Sequence, residues 1–315
     1  MAFRIIPDHT NIRFMWWRRI TFPVSAVLSV VALLLFVLVG PNYGIDFRGG
    51  TMIVLQPSDA DVTLEDIAEV RNRLATVGLA DVEVRTLTEA AGEQAISIRI
   101  AATEEGDGAQ DQVTNEIRNA LYDIGTFRSI ESVGARVSSE LARDGVIATV
   151  IAMLAIMVYV WFRFEWQFAI GAIVATLHDV LMTLGFFALL RLDFNLASIA
   201  AILTIVGYSL NDTVVIYDRI RETLRKYKKT PLSELIDRAI NDTLARTTMT
   251  SLTTWLALWA LYLFGGDVIR SFVAAMLFGI AIGTYSSIFI AAPLLIYLRV
   301  RDSEPVEGAE SSETK

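Results

Sequence analysis

No cysteine occurs in the chain, and histidine occurs only twice, as His9 and His178. The first absence excludes disulfides and all thiol chemistry, and it leaves the compartment to be read from topology. The second excludes a histidine-rich metal centre, because His178 stands alone in its apolar segment. Nucleotide-binding loops, nucleophile–base sets and metal-ligand clusters are missing as well. The Gly-rich stretch "PNYGIDFRGGTMIV" lacks the GK[ST] ending of a phosphate-binding loop, and a strand-like segment follows it where such a loop needs a helix. No enzyme reading competes, and no cofactor is called for.

What is abundant is apolar sequence. Of the 315 residues 54% are hydrophobic, and the mean hydropathy is +0.49. Six blocks, 20–39, 146–162, 168–190, 196–217, 249–264 and 271–298, read as crossings of a hydrocarbon core of about 30 Å. The second and fifth are short and are included on their context. The first follows a long polar leader, "MAFRIIPDHTNIRFMWWRR", with no small-residue cleavage pattern after it, so it reads as an uncleaved anchor. Trp16 and Trp17 sit at its mouth beside Arg18 and Arg19, as interfacial aromatics and cations should.

The short loops set the orientation. One side carries Arg13, Arg18, Arg19, Arg163, Arg219, Arg221, Arg225, Lys226, Lys228, Lys229, Arg299 and Arg301, and the other only Arg191 and Arg270. The positive-inside rule then places both termini in the cytoplasm and the stretch 41–142 outside. The net charge of −8 lies largely in that outer stretch and in the acidic tail, 299–315, which reads as disordered.

Within 41–142, "TMIVLQP", "VEVRTL", "AISIRI" and "FRSIESVGA" read as strands, and "TLEDIAEVRNRLATVG" and "DQVTNEIRNALYD" as amphipathic helices. The order β-α-β-β-α-β is that of a ferredoxin-like split fold. The expected whole is an α-helical membrane protein with a cytoplasmic N-terminus (1–19), a first span (20–39), the small α+β domain and a five-helix bundle (146–298). In the connector at 219–248, Leu232, Leu235, Ile236, Ala239 and Ile240 share one helical face. That fits either an amphipathic helix on the inner membrane surface or a solvated link.

Three constellations stand out. In "GIDFRGG", Gly49 and Gly50 suit special backbone dihedrals where the chain turns from membrane to sheet, with Asp46 and Arg48 holding the turn. His178 and Asp179 lie near the middle of the third span; the pair is either a helix–helix hydrogen-bonding unit or part of a proton path. Asp212 lies about two turns inside the fourth span, sharing a helical face with Tyr208, Val215 and Arg219. Its candidate partner is Arg246 at the start of the fifth, followed by the hydroxyls Thr247, Thr250, Ser251 and Thr254. Burial favours the neutral carboxyl and a nearby guanidinium the charged one, so relative motion of Asp212 and Arg246 would take up or release a proton. The alternative is a static ion pair pinning the two spans together. Asp218 and Arg219 read as an anchoring pair at the interface.

"GIDFRGGT", "HDV", "YSLNDTVVIYDRIRE" and "ARTTMTSLTT" together resemble the SecD/SecF family of bacterial protein-export membrane proteins, on its SecF side, from about residue 10 to 300. The resemblance implies an RND-type half bundle in the inner membrane, paired with SecD and often YajC. It further implies service to the SecYEG channel and its ATPase SecA, with the proton-motive force used to draw unfolded preproteins outward as the periplasmic domain moves. In that family the Asp of "LND" and the Arg opening the fifth span form the proton pathway. Here these are Asp212 and Arg246, with Asn211, Tyr208 and Thr247 beside them. Two other readings are a half-sized RND exporter of small molecules or lipids, and a passive clamp on a translocation channel.

Overall fold

The apolar blocks become helices that run past the oily stretch at one or both ends. The computed structural model describes residues 10–57, 62–79, 82–88, 93–101 and 107–300; most of the acidic tail and residues 1–9 of the leader lie outside them. Helix α1 (Phe14–Leu38) starts well before its apolar block and takes in both tryptophans. A two-residue strand β1 (Asn42–Tyr43) and a single turn α2 (Ile45–Arg48) lead to β2 (Gly50–Pro57). There follow α3 (Leu64–Thr76), β3 (Val82–Thr88), β4 (Gln94–Ala101), α4 (Asp107–Leu121) and β5 (Gly125–Val133). The chain returns through α5 (Ala135–Arg163) and α6 (Trp166–Leu190), then β6 (Asp193–Phe194), α7 (Leu196–Lys226), α8 (Leu232–Phe264) and α9 (Asp267–Ser286). A π-turn at Ser287–Ala291 joins α9 to α10 (Ala292–Tyr297).

Five of these helical segments are long and apolar enough to cross a membrane: α1, α5, α6, α7 and the α9–α10 unit. The apolar block 249–264 forms the second half of the 33-residue α8. The first half of α8 settles the two readings of its amphipathic face. Leu235, Ile236, Ala239 and Ile240 are buried in the same cluster as Phe168 and Tyr217, so this stretch packs on the bundle end and continues without a break into the apolar half.

The sheet has the order β3-β4-β2-β5, antiparallel throughout, with a register shift between Val54 and Leu55 where β2 meets β5. Ile53, Leu55, Ile96 and Ile98 meet Val70 and Leu74 of α3 and Ile117 and Leu121 of α4 in one apolar core. Helix α3 opens with a capping box: Asp66 N donates to Thr63 Oγ1 at 3.2 Å, and Thr63 N donates to Asp66 Oδ2 at 2.7 Å. The Thr63 amide, and then its hydroxyl, hold the Asp66 carboxyl below the usual carboxylate range. Thr63→Ala should therefore cost about 1 kcal/mol of local stability, read as faster hydrogen exchange in the first turn of α3. The depressed folded value means that the native cap adds stability above the ordinary carboxylate range, which is lost as pH falls through the folded value. The exchange difference between the two proteins should shrink in acid.

The membrane helices approach closely where residues are small. A Cβ at Gly185 of α6 would lie 2.5 Å from Ala32 Cβ and 2.7 Å from its Cα on α1. Backbone cannot yield as a side chain can, so Gly185→Leu should push α1 off α6. The expected cost is about 2 kcal/mol, with a lower unfolding temperature in detergent.

Candidate functional site

The membrane-side site begins at the N-terminus of α7. Asn195 caps the helix: Ser198 N donates to Asn195 Oδ1 at 3.1 Å, and Asn195 N donates to Ser198 Oγ at 3.1 Å. Leu196 N donates to Asp46 Oδ2 at 2.9 Å, so the turn after α1 supplies an acceptor to the positive end of α7. The sequence expectation that Asp46 and Arg48 jointly hold their own turn is corrected here. Asp46 reaches across 150 residues, and the Arg48 guanidinium lies over the Tyr43 ring, 5.6 Å from its centroid. Gly49 (φ 72°) and Gly50 (φ 127°) have the positive φ that β-carbon sterics disfavour, as expected of the turn into β2.

Two polar tracks leave α7 sideways. Ser209, Thr213 and Tyr217 recur every four residues and meet α6 and α9. Asp179, fully buried on α6, is the hub: its Oδ2 accepts from Ser209 Oγ at 2.5 Å and Ser286 Oγ at 2.8 Å, and its Oδ1 lies 3.0 Å from His178 Nδ1. Thr213 and Ser287 hydroxyls meet at 2.8 Å, and Tyr217 Oη donates to Ala291 O at 3.0 Å, within the π-turn. Every member of this track has a partner.

The second track does not close on itself. Asp212 is 2% exposed, and its Oδ2 has no hydrogen-bond partner. Tyr208 Oη and Thr247 Oγ1 are likewise buried and unpartnered. The hydroxyls of Ser251 on α8 and Thr284 on α9 bond each other at 2.8 Å and stand against the Asp212 carboxyl. Arg246 is exposed and acts on Asp212 through space, beyond ion-pair distance. One position is about 100° of helix rotation, so a buried Thr247 turns Arg246 outward. Asn211 is exposed for the same reason relative to Asp212. Of the hydroxyl stripe, Thr250 and Thr254 bond their own helix's carbonyls, at 2.9 and 3.0 Å, while Ser251 reaches across to α9.

Asp218 and Arg219 do not pair with each other, because adjacent helical residues point apart. Asp218 pairs with Arg163 at 3.2 Å, and Arg219 with Asp242 and Glu222, each at 2.6 Å. Among the described residues no group of three or more His, Asp or Glu is placed to hold a metal. Sequence reasoning did not find Ser286, Ser287, Thr213 and Thr284. Their signal is small polar residues inside apolar helices, which is weak until the helices are seen to cross.

Long apolar helices that bury carboxylates among serines and threonines define an integral membrane protein with a polar interior. The matches with known proteins narrow this. Residues 113–301 match the family described as protein export membrane protein SecD/SecF, C-terminal, and residues 35–61 match the SecD/SecF GG motif. The protein translocase subunit SecF of Cereibacter sphaeroides is 42% identical over 99% of this chain and 97% of its own length. The protein translocase subunit SecDF of Brucella abortus is 46% identical over 97% of this chain. A crystal structure of SecDF from a Thermus species, described as a translocon-associated membrane protein, superposes with a TM-score of 0.80 at 33% identity over 94% of this chain. The chain spans 39% of the Brucella protein and 40% of the Thermus one. It belongs to the SecD/SecF family of protein-export membrane proteins.

Proposed function

We propose that the chain is an accessory subunit of the Sec protein translocase, in which proton passage through the membrane bundle drives movement of the outer domain and promotes preprotein translocation. The observation that carries this is Asp212: a carboxyl buried within the bundle with one oxygen that has no hydrogen-bond partner. Ionisable groups at that depth are costly, and their usual return is an ion or proton path. Arg246 supplies a cation whose charge already acts on that carboxyl through space.

The reading includes six spans, with 249–264 as the fifth, arranged as an RND-type half bundle. It places both termini in the cytoplasm, in a bacterial inner membrane, on the Arg and Lys content of the short loops. The segment 41–142 is then a periplasmic domain of ferredoxin-like type. The strand order β3-β4-β2-β5 with one helix after β2 and one after β4 supports that assignment. SecD is the proposed partner, corresponding to the rest of the fused relatives. Asn211 and Arg246 are exposed at or near membrane depth, and α5 is scarcely buried, so a second half bundle has polar and apolar surface to cover. YajC, SecYEG, SecA and unfolded preprotein complete the proposed set of partners. Preprotein export by the Asp212→Asn protein, measured with and without a proton gradient, tests the reading. Unchanged gradient dependence leaves a passive clamp.

A further inference from the structure

At the end of the bundle where α1 begins, a cavity of about 1170 Å³ opens between the start of α1 and the first turns of α8. Its walls are fixed. Ile12 N donates to Asn241 Oδ1 at 3.0 Å, Asn241 Nδ2 donates to Ile12 O at 2.8 Å, and Met15 N donates to Asp237 Oδ1 at 2.8 Å. Arg13, Arg18, Arg19 and Arg238 line it, together with Trp16 and Ile20. Three acidic residues also reach it. Of these, Asp237 is engaged by the α1 backbone and Asp242 by the Arg219 guanidinium, which leaves Glu234. Among the described residues Arg13, Arg18 and Arg19 form no ion pair; Arg13 and Arg18 sense Asp237 only at longer range. Guanidinium groups gathered at a membrane boundary without an ion-pair partner among the described residues suit an anion with several oxygens.

Below the arginines, Trp16, Ile20, Val24, Val27 and Val31 recur at helical spacing along α1, and all are exposed. A headgroup seated among the arginines would therefore have a continuous apolar track for its acyl chain, which a free phosphate cannot use. We propose that this cavity is a binding site for an anionic phospholipid, whose charged headgroup sits among the arginines that line it and whose acyl chain lies along the exposed stripe of α1. The site is separate from the Asp212 cluster and does not depend on the transport reading.

The test titrates the detergent-purified full chain with dioleoylphosphatidylglycerol, dioleoylphosphatidylcholine or inorganic phosphate and counts adducts by native mass spectrometry. Phosphatidylglycerol should bind at least about tenfold more tightly than phosphatidylcholine. Replacing Arg13, Arg18 and Arg19 together by Gln should weaken it on the order of a hundredfold, at about fivefold per arginine. Replacing the same three by Lys should restore most of the affinity, since charge is kept, and thermal unfolding of both variants checks that the fold survives. Gln at Arg225, Lys228 and Lys229, which are exposed but outside the cavity, should leave binding unchanged. Equal affinity for the two lipids, an unaffected Gln triple variant, equal loss in the control triple, or inorganic phosphate binding as tightly as the lipid would each overturn the proposal.

Discussion

Asp212→Asn is expected to remove the response of preprotein export to the proton gradient while leaving gradient-independent export in place. The carboxamide has nearly the shape of the carboxylic acid, so the packing of α7 against α8 and α9 should persist and the unfolding temperature should change little. What it cannot do is release a proton. One elementary charge crossing a potential of 100 mV is worth about 2.3 kcal/mol, which bounds the loss of gradient stimulation at a factor of about 50 per charge moved. The geometry explains why the effect should centre on this residue. Asp212 Oδ2 is buried without a hydrogen-bond partner, as are Tyr208 Oη one turn back on α7 and Thr247 Oγ1 on α8, so one oxygen of the carboxyl is free to take up a proton without breaking a protein contact. Infrared difference spectra give a second reading. A protonated carboxyl band that comes and goes with pH in the parent chain and is absent in Asp212→Asn supports the mechanism. A carboxyl deprotonated under all conditions refutes it, whatever the export assay shows.

The residues on which that argument turns differ in how far the sequence announced them. Asp212 was legible because a carboxylate inside "FNLASIAAILTIVGYSLNDTVV" violates the composition around it, and the violation needs no neighbours to be seen. The strands of the sheet were legible through alternation, and α3 through its spacing of Leu64, Ile67, Arg71 and Leu74. Pairings across helices were not legible. Ser209 and Ser286 converge on Asp179 from 30 and 107 residues away, and nothing in local periodicity marks that meeting. Asp218 and Arg219 look like a pair when written side by side, yet a helix points them apart and gives each a partner elsewhere, Arg163 in one case and Asp242 in the other. Arg246 reads in the sequence as the opening of an apolar span, but it lies midway along the unbroken α8, and the rotation that buries Thr247 and exposes Arg246 is set by tertiary packing. The π-turn at Ser287–Ala291 has no sequence mark either, although its last residue supplies the carbonyl that Tyr217 binds.

Asp179→Ala is expected to be the most destabilising single change in the bundle. The carboxylate ties three helices together: it accepts from Ser209 on α7 and Ser286 on α9, and it faces His178 on its own α6. Alanine leaves Ser209 and His178 without this partner and Ser286 with only the Gly283 carbonyl of its own helix, at about 1–3 kcal/mol for each orphaned group, less than additively. It also opens a void that neighbouring small residues cannot fill. A net loss on the order of 3 kcal/mol should lower the unfolding temperature in detergent by on the order of 10 °C. Asp179→Asn separates the two roles open to this residue. The amide keeps one acceptor oxygen, and serine hydroxyls can rotate to accept from its nitrogen, so much of the clamp should remain. If Asp179 serves chiefly to hold α6, α7 and α9 in register, Asp179→Asn should retain most gradient-driven export while Asp179→Ala loses it through unfolding. If Asp179 and His178 carry protons, Asp179→Asn should instead keep its unfolding temperature and lose the gradient response, as Asp212→Asn does. The satisfied geometry of Asp179, set against the unpartnered oxygen of Asp212, favours the first outcome. A carboxylate engaged by three buried groups on three helices is held in place as a clamp, whereas Asp212 has an oxygen with no hydrogen-bond partner.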